Sequence, residues 1–68
     1  MNLEKLKEAR IEKDLSQGEL AKKIGVTKMT YWRKENGHRE FNRTEIENIK
    51  NALNLSLDDV NNIFFNKK

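Results

Sequence analysis

Apolar residues recur along this chain at intervals of three and four, in four separate stripes. Leu3, Leu6 and Ala9 form the first, Leu20, Ala21 and Ile24 the second, Ile46, Ile49 and Leu53 the third, and Leu57, Val60, Ile63 and Phe64 the fourth. Each stripe is one face of an amphipathic α-helix, the first running from about Leu3 to Lys13. A fifth helix fits between the second and third stripes. Thr27 is its cap, Tyr31 falls four residues later on the inward side, and Lys28, Met29, Trp32 and Arg33 are left pointing outward. There is no strand alternation, no internal repeat and no Pro. The pattern predicts five helices in one all-α domain over residues 1–68.

Capping residues sharpen these boundaries. Ser16 with Glu19 three residues on, and Asn42 with Glu45, both have the spacing of a capping box. Ser56 starts the last helix, and Asp58 and Asp59 suit the positive end of its dipole. Gly25 can take the positive φ needed where the second helix stops abruptly, and Val26 is placed to pin the turn to the core. Ala21 is small enough for the next helix to cross close by. Residues 16–37 therefore read as two short helices hinged at Gly25, the second with basic and aromatic side chains outside. A B-DNA major groove admits one such helix when a partner helix holds it.

At these residues the chain resembles the helix-turn-helix domains of the phage repressor (Cro/Xre) family. The resemblance rests on Leu15-Ser16-Gln17, Glu19-Leu20-Ala21, Gly25-Val26-Thr27 and Glu35-Asn36-Gly37. It extends to Leu6 and Arg10 before the motif and to Ile49, Leu53, Leu55 to Asp59, Ile63 and Phe64 after it. It implies a compact five-helix, lambda-repressor-like DNA-binding domain, acting as a transcriptional regulator of repressor type that reads the major groove with helix 3.

Charge agrees with that implication. Residues 22–43 hold seven basic residues against Glu35 and Glu40, an excess of five positive charges. The rest holds seven basic against nine acidic, so the net +3 of the chain hides a concentrated cationic region. This is the electrostatic footprint for a polyanion, against the plainer reading of a solvated lysine-rich face. Without Cys there are neither disulfides nor thiolate ligands, which suits a reducing cytoplasm; with His38 the single histidine, no protein-only metal site and no cofactor are expected. No apolar run approaches a membrane span. No nucleophile–base pair or carboxylate cluster is evident, so the chain is not expected to be an enzyme.

The resemblance distributes roles among residues. Lys28 and Met29 match the base-reading positions: Lys can donate to guanine O6 or N7, and Met can pack on a thymine methyl or instead fold back into the core. Arg33, one turn on, can reach a base or a phosphate, and Trp32 lies either against the DNA or on Tyr31 or a neighbouring loop. Gln17 is implied to contact a phosphate and brace helix 3. Asn36, Arg39 and Arg43, with the backbone N–H groups of the turn after helix 3, are placed for phosphates near the start of helix 4. Arg10 and Glu35 match a structural ion pair rather than DNA contacts.

Lys34 departs from the family pattern, which favours a large apolar residue there; its ammonium is expected to snorkel to water or phosphate. Many such repressors carry a C-terminal dimerisation or ligand-sensing domain, and none is expected within these 68 residues. A homodimer on an operator is nevertheless expected, because one recognition helix reads too few base pairs to single out a genomic site. Ile63, Phe64 and Phe65 are consecutive and cannot all face one core, so Phe65, in a seam of helix 5 and the chain end, is the candidate dimer contact. The rival reading is an antirepressor or antitoxin-like module that grips a regulatory protein partner through Met29, Trp32 and Phe65.

Overall fold

A computed structural model describes residues 1–65 and shows five α-helices with no strand among them. They are α1 (Leu3–Glu12), α2 (Gln17–Ile24), α3 (Lys28–Glu35), α4 (Arg43–Leu53) and α5 (Leu57–Val60), the last continued by a π-helical stretch, Asn61–Phe65. The all-α reading of the sequence is correct. The part of the expected dimer seam beyond Phe65 lies outside the described residues.

Local chemistry accounts for each start and stop. Ser16 and Asn42 form the expected capping boxes with Glu19 and Glu45, and Ser56 forms another with Asp59. Thr27 caps α3 by accepting from the Thr30 backbone N–H at 3.1 Å. Left-handed residues end or follow the helices: Asp14, Gly25, Gly37 and Asn54 all have φ between 53° and 83°. Only Gly25 was legible as such a stop. Gly37 also sits beside α1, where a Cβ would be in ordinary van der Waals contact with Leu3 Cδ1 at 3.5 Å, so it is the positive φ and not the space that favours glycine there.

The core joins Leu6, Leu20, Ala21, Ile24, Tyr31, Ile49, Leu53, Val60, Ile63 and Phe64, with Leu3, Ala9, Val26 and Ile46 half-buried against it. Phe41, which lies outside every stripe, is also buried and packs edge-on to Phe64 at 5.6 Å between ring centroids. It seals the long connection between α3 and α4 onto the core.

Two expectations need correction. Leu57 does not join the fourth stripe inside; it is 72% exposed, at the first position of a four-residue helix, and lines an open groove with Ile46, Val60 and Phe65 on the outer side of α4. Lys34 does not reach for solvent. Its ammonium lies 2.5 and 2.6 Å from the two oxygens of Glu45, and both side chains are nearly enclosed. An ammonium largely removed from water is costly unless it is paired, and Glu45 on α4 supplies the partner.

Candidate nucleic-acid interface

Helix α2 packs on both α3 and α4. The turn between α2 and α3 is closed by the Val26 N–H donating to the Ala21 carbonyl at 3.0 Å, with Gly25 at φ 80°. That geometry leaves no slack between the two helices, so α2 fixes the angle at which α3 is presented.

Behind α3 lies a polar cluster centred on the buried Glu35. Its Oε2 accepts from Arg10 Nε at 2.9 Å and from the Tyr31 hydroxyl at 2.6 Å. Its Oε1 accepts from Arg10 Nη2 at 3.2 Å and from Gln17 Nε2 at 3.0 Å. Arg10 Nη1 donates to the Leu15 carbonyl at 2.7 Å, so one guanidinium joins α1, the loop before α2, and α3. Burial pushes the Glu35 carboxyl upward, but the hydrogen bonds from Arg10, Tyr31 and Gln17 outweigh it and hold the group below the usual carboxylate range. Burial, reinforced by Glu35, pushes the Tyr31 hydroxyl well above its ordinary value. For Arg10, desolvation is overcome by hydrogen bonding and attraction to Glu35, which raise its pKa. No buried side-chain nitrogen or oxygen among the described residues lacks a partner.

The outer face of α3 is built differently. Lys28, Met29, Trp32 and Arg33 are all exposed, Met29 at 57% and Trp32 at 42%, so Met29 does not fold back into the core. Of the packing alternatives, Trp32 takes the neighbouring loop rather than Tyr31: it stacks on His38 in the following turn, centroids 5.6 Å apart and planes at 17°. The Lys28 stem leans towards the start of α2, where a Cβ on Gly18 would meet its Cδ at 3.6 Å. Lys28, Met29 and Trp32 together line a mainly apolar cleft.

The remaining candidates fall into three places. Gln17, Trp32 and Asn36 share a cleft with Lys7, Glu4, Leu3 and Glu35. Arg33 and Arg39 line another of about 200 Å³ with Thr30 and Lys34. Arg43 stands apart from both, on the groove beside Ile46 and Phe65. The backbone N–H groups of Asn36, Gly37 and His38 do not face outward as expected. They donate to the carbonyls of Trp32, Lys34 and Arg33 at 3.0, 3.2 and 2.8 Å, because the last turn of α3 needs them. The Asn36 side chain likewise donates one N–H to the Trp32 carbonyl, at 2.8 Å.

His38 and Lys7 are the neighbours that sequence reasoning passed over. His38 is three residues past the end of α3 and Lys7 lies on α1, and no spacing rule links either to α3.

Two short helices locked by a left-handed glycine, with a satisfied polar cluster behind and an exposed basic and aromatic face in front, define a helix-turn-helix. The helix-turn-helix family profile matches residues 6–60, and the chain belongs to that family, in its Cro/Xre form. The chain is also 42% identical over 55 residues to the uncharacterized HTH-type transcriptional regulator YqaE of Bacillus subtilis (strain 168), a match covering 81% of this chain and 47% of that protein. It thus spans about half the length of the curated relative it matches. No solved structure matches the chain. None of the helices among the described residues is long and apolar enough to cross a membrane.

Proposed function

We propose that the chain is a sequence-specific, double-stranded DNA-binding transcriptional regulator of the repressor type, phage or bacterial, working in the cytoplasm without enzymatic activity. The observation that carries this reading is α3 itself: immobilised from behind by the Glu35 cluster, it presents Lys28, Met29, Trp32 and Arg33 on one open face. A rigid helix of this kind can enter the major groove and place side chains against base edges at little entropic cost. Lys28, Met29, Trp32 and Arg33 read bases. Gln17 and Asn36, each with an amide N–H beyond the one used internally, and Arg39 and Arg43 hold phosphates. The relative's name, an HTH-type transcriptional regulator, supports regulation as the outcome of binding.

Selection of bound duplexes from a random pool at physiological salt tests this directly. A recovered motif is expected, and Lys28→Ala should shift the preferred sequence by roughly 1–3 kcal/mol per base pair read. Binding without any sequence preference would overturn the reading. A steep loss of affinity with salt separates it from an antirepressor or antitoxin-like module, whose apolar grip on a protein responds little to salt.

The regulator acts as a homodimer on a near-palindromic operator, with half-sites about 34 Å apart if one helical turn separates them. Phe65, 59% exposed at the rim of the groove that also holds Leu57, supports this surface as the seam. Sedimentation of the free protein and its operator complex checks the stoichiometry; one copy per operator with an asymmetric motif would rule the dimer out.

A further inference from the structure

The cationic segment around α3 contains an island that charge does not explain. Met29 and Trp32 are three residues apart on the helix, Lys28 and Trp32 four, so all three fall on one outward face. Their side chains line one mainly apolar cleft, open to solvent, to which Lys28 contributes. Trp32 is not a loose wall. Its ring lies nearly parallel to the His38 ring, and that stack restricts the rotamers it can take. Lys22, Lys23, Lys28, Arg33 and Arg39, all exposed, lie in the same segment of chain. An apolar protein surface would gain nothing from Lys28 in the cleft wall and the cationic segment that carries it, whereas a duplex would. The major groove offers only one apolar group to such a cleft, the C5-methyl of thymine.

We infer that Met29 and Trp32 form a receptor for a thymine methyl group, and that His38 is a positioning residue that holds the Trp32 wall of it. This deepens the reading of α3 as the recognition helix and rests on it. The cleft selects a T·A pair at one position by apolar contact, while Lys28 and Arg33 supply polar contacts to neighbouring pairs. His38 touches no base; it acts through the orientation of Trp32.

The test uses the full chain and the duplex it selects, with each thymine replaced in turn by uracil, which removes the methyl and leaves every hydrogen-bonding group in place. At one thymine per recognition helix, affinity should fall roughly three- to tenfold, the worth of about one buried methyl group. Replacing that T·A pair by a C·G pair should lose affinity, and methylating that cytosine at C5, which puts the methyl back in the same place in the groove, should recover most of the loss; a 5-methylcytosine duplex bound no better than the unmethylated cytosine one would overturn the methyl receptor.

In Met29→Gln, which keeps length and helix propensity, the thymine-to-uracil ratio at that position should drop to about one. His38→Ala should lower the same ratio while leaving the salt slope unchanged, an outcome that a purely structural role for the ring stack would not give. Met29 and His38 are exposed, so thermal unfolding of the variants should match the parent. A ratio of about one at every thymine for the parent protein, alongside a clear selected motif, would overturn the methyl receptor and leave the DNA-binding reading standing. Failure to recover any motif would sink both.

Discussion

The two faces of α3 are made by the same eight residues and follow opposite rules. On the inner face, Tyr31 and Glu35 are buried and every polar atom is partnered, drawing on Arg10 from α1 and Gln17 from α2. On the outer face, Lys28, Met29 and Arg33 stand exposed, and the one aromatic contact, Trp32 on His38, is with the next turn. Folding energy is spent where the helix must not move, and the side chains left over are those that could engage something else. The difference separates residues whose loss unfolds the molecule from residues whose loss leaves it folded.

The largest effect is expected at the inner face. Glu35→Ala leaves the Arg10 guanidinium buried without its carboxylate and the Tyr31 hydroxyl without an acceptor, and should destabilise the fold by about 3–5 kcal/mol in a denaturant titration. A loss below about 1 kcal/mol would mean that the cluster is solvated in solution and that the contrast between the faces is false.

The same carboxylate sets the response to acid. Its pKa is lowered in the fold, so its contribution is complete above the ordinary carboxylate value of about 4.3 and disappears as pH falls through the lowered folded-state value. Tyr31 works in the other direction: its raised pKa makes its contribution complete below about 10 and progressively lost above that. Stability measured from acid to alkali should therefore fall at both ends. In Glu35→Gln the acid limb should flatten, and an unchanged acid limb would place the acid sensitivity elsewhere.

Lys34 and Glu45 offer a second buried pair, on the side of α3 that faces α4, and its expected effect is smaller. Glu45 also accepts from the Asn42 backbone N–H at 2.9 Å, so Glu45→Ala removes both a partner and a cap and should cost about 1–3 kcal/mol. Lys34→Met combined with Glu45→Gln keeps an acceptor for Asn42 and removes both charges. The double variant should come within about 1 kcal/mol of the parent in thermal or chemical unfolding, closer than Glu45→Gln alone. If the double variant is the less stable of the two, the pair contributes more than an apolar contact would.

These cases also show what was legible in the sequence. Helix starts were, because Ser16, Asn42, Ser56 and Thr27 act on N–H groups within three residues, a range that spacing reveals. Gly25 was legible for the same reason. Glu35 and Arg10 are 25 residues apart, and only the family resemblance linked them. The Lys34–Glu45 pair, 11 residues apart, had no comparable cue: each residue alone looks like a surface charge or a capping residue. Phe41 was missed because it belongs to no helix and periodicity says nothing about a loop residue. Leu57 erred in the other direction, since periodicity gives a side but not whether a neighbour covers it. Of the candidate interface, the outward set on α3 followed from spacing; the Trp32–His38 stack required the path of the turn.

The smallest effect on the fold is expected where the outer face continues past α3. Arg39 and Arg43 are exposed and form none of the ion pairs seen among the described residues, so Arg39→Ala and Arg43→Ala should leave stability within about 0.5 kcal/mol. Their effect should appear only on DNA. A phosphate contact carries no sequence information, so each substitution should weaken binding to every duplex alike. It should also lower the dependence of log affinity on log salt by about one unit for each phosphate no longer neutralised. The two arginines need not behave alike, because Arg39 shares a cleft with Arg33 whereas Arg43 lines the groove beside Phe65. A lowered slope for Arg39→Ala alone would move Arg43 from the DNA-facing set to the surface proposed for the second copy. An unchanged slope with altered base preference would make Arg39 a base reader and extend the reading face beyond the end of α3.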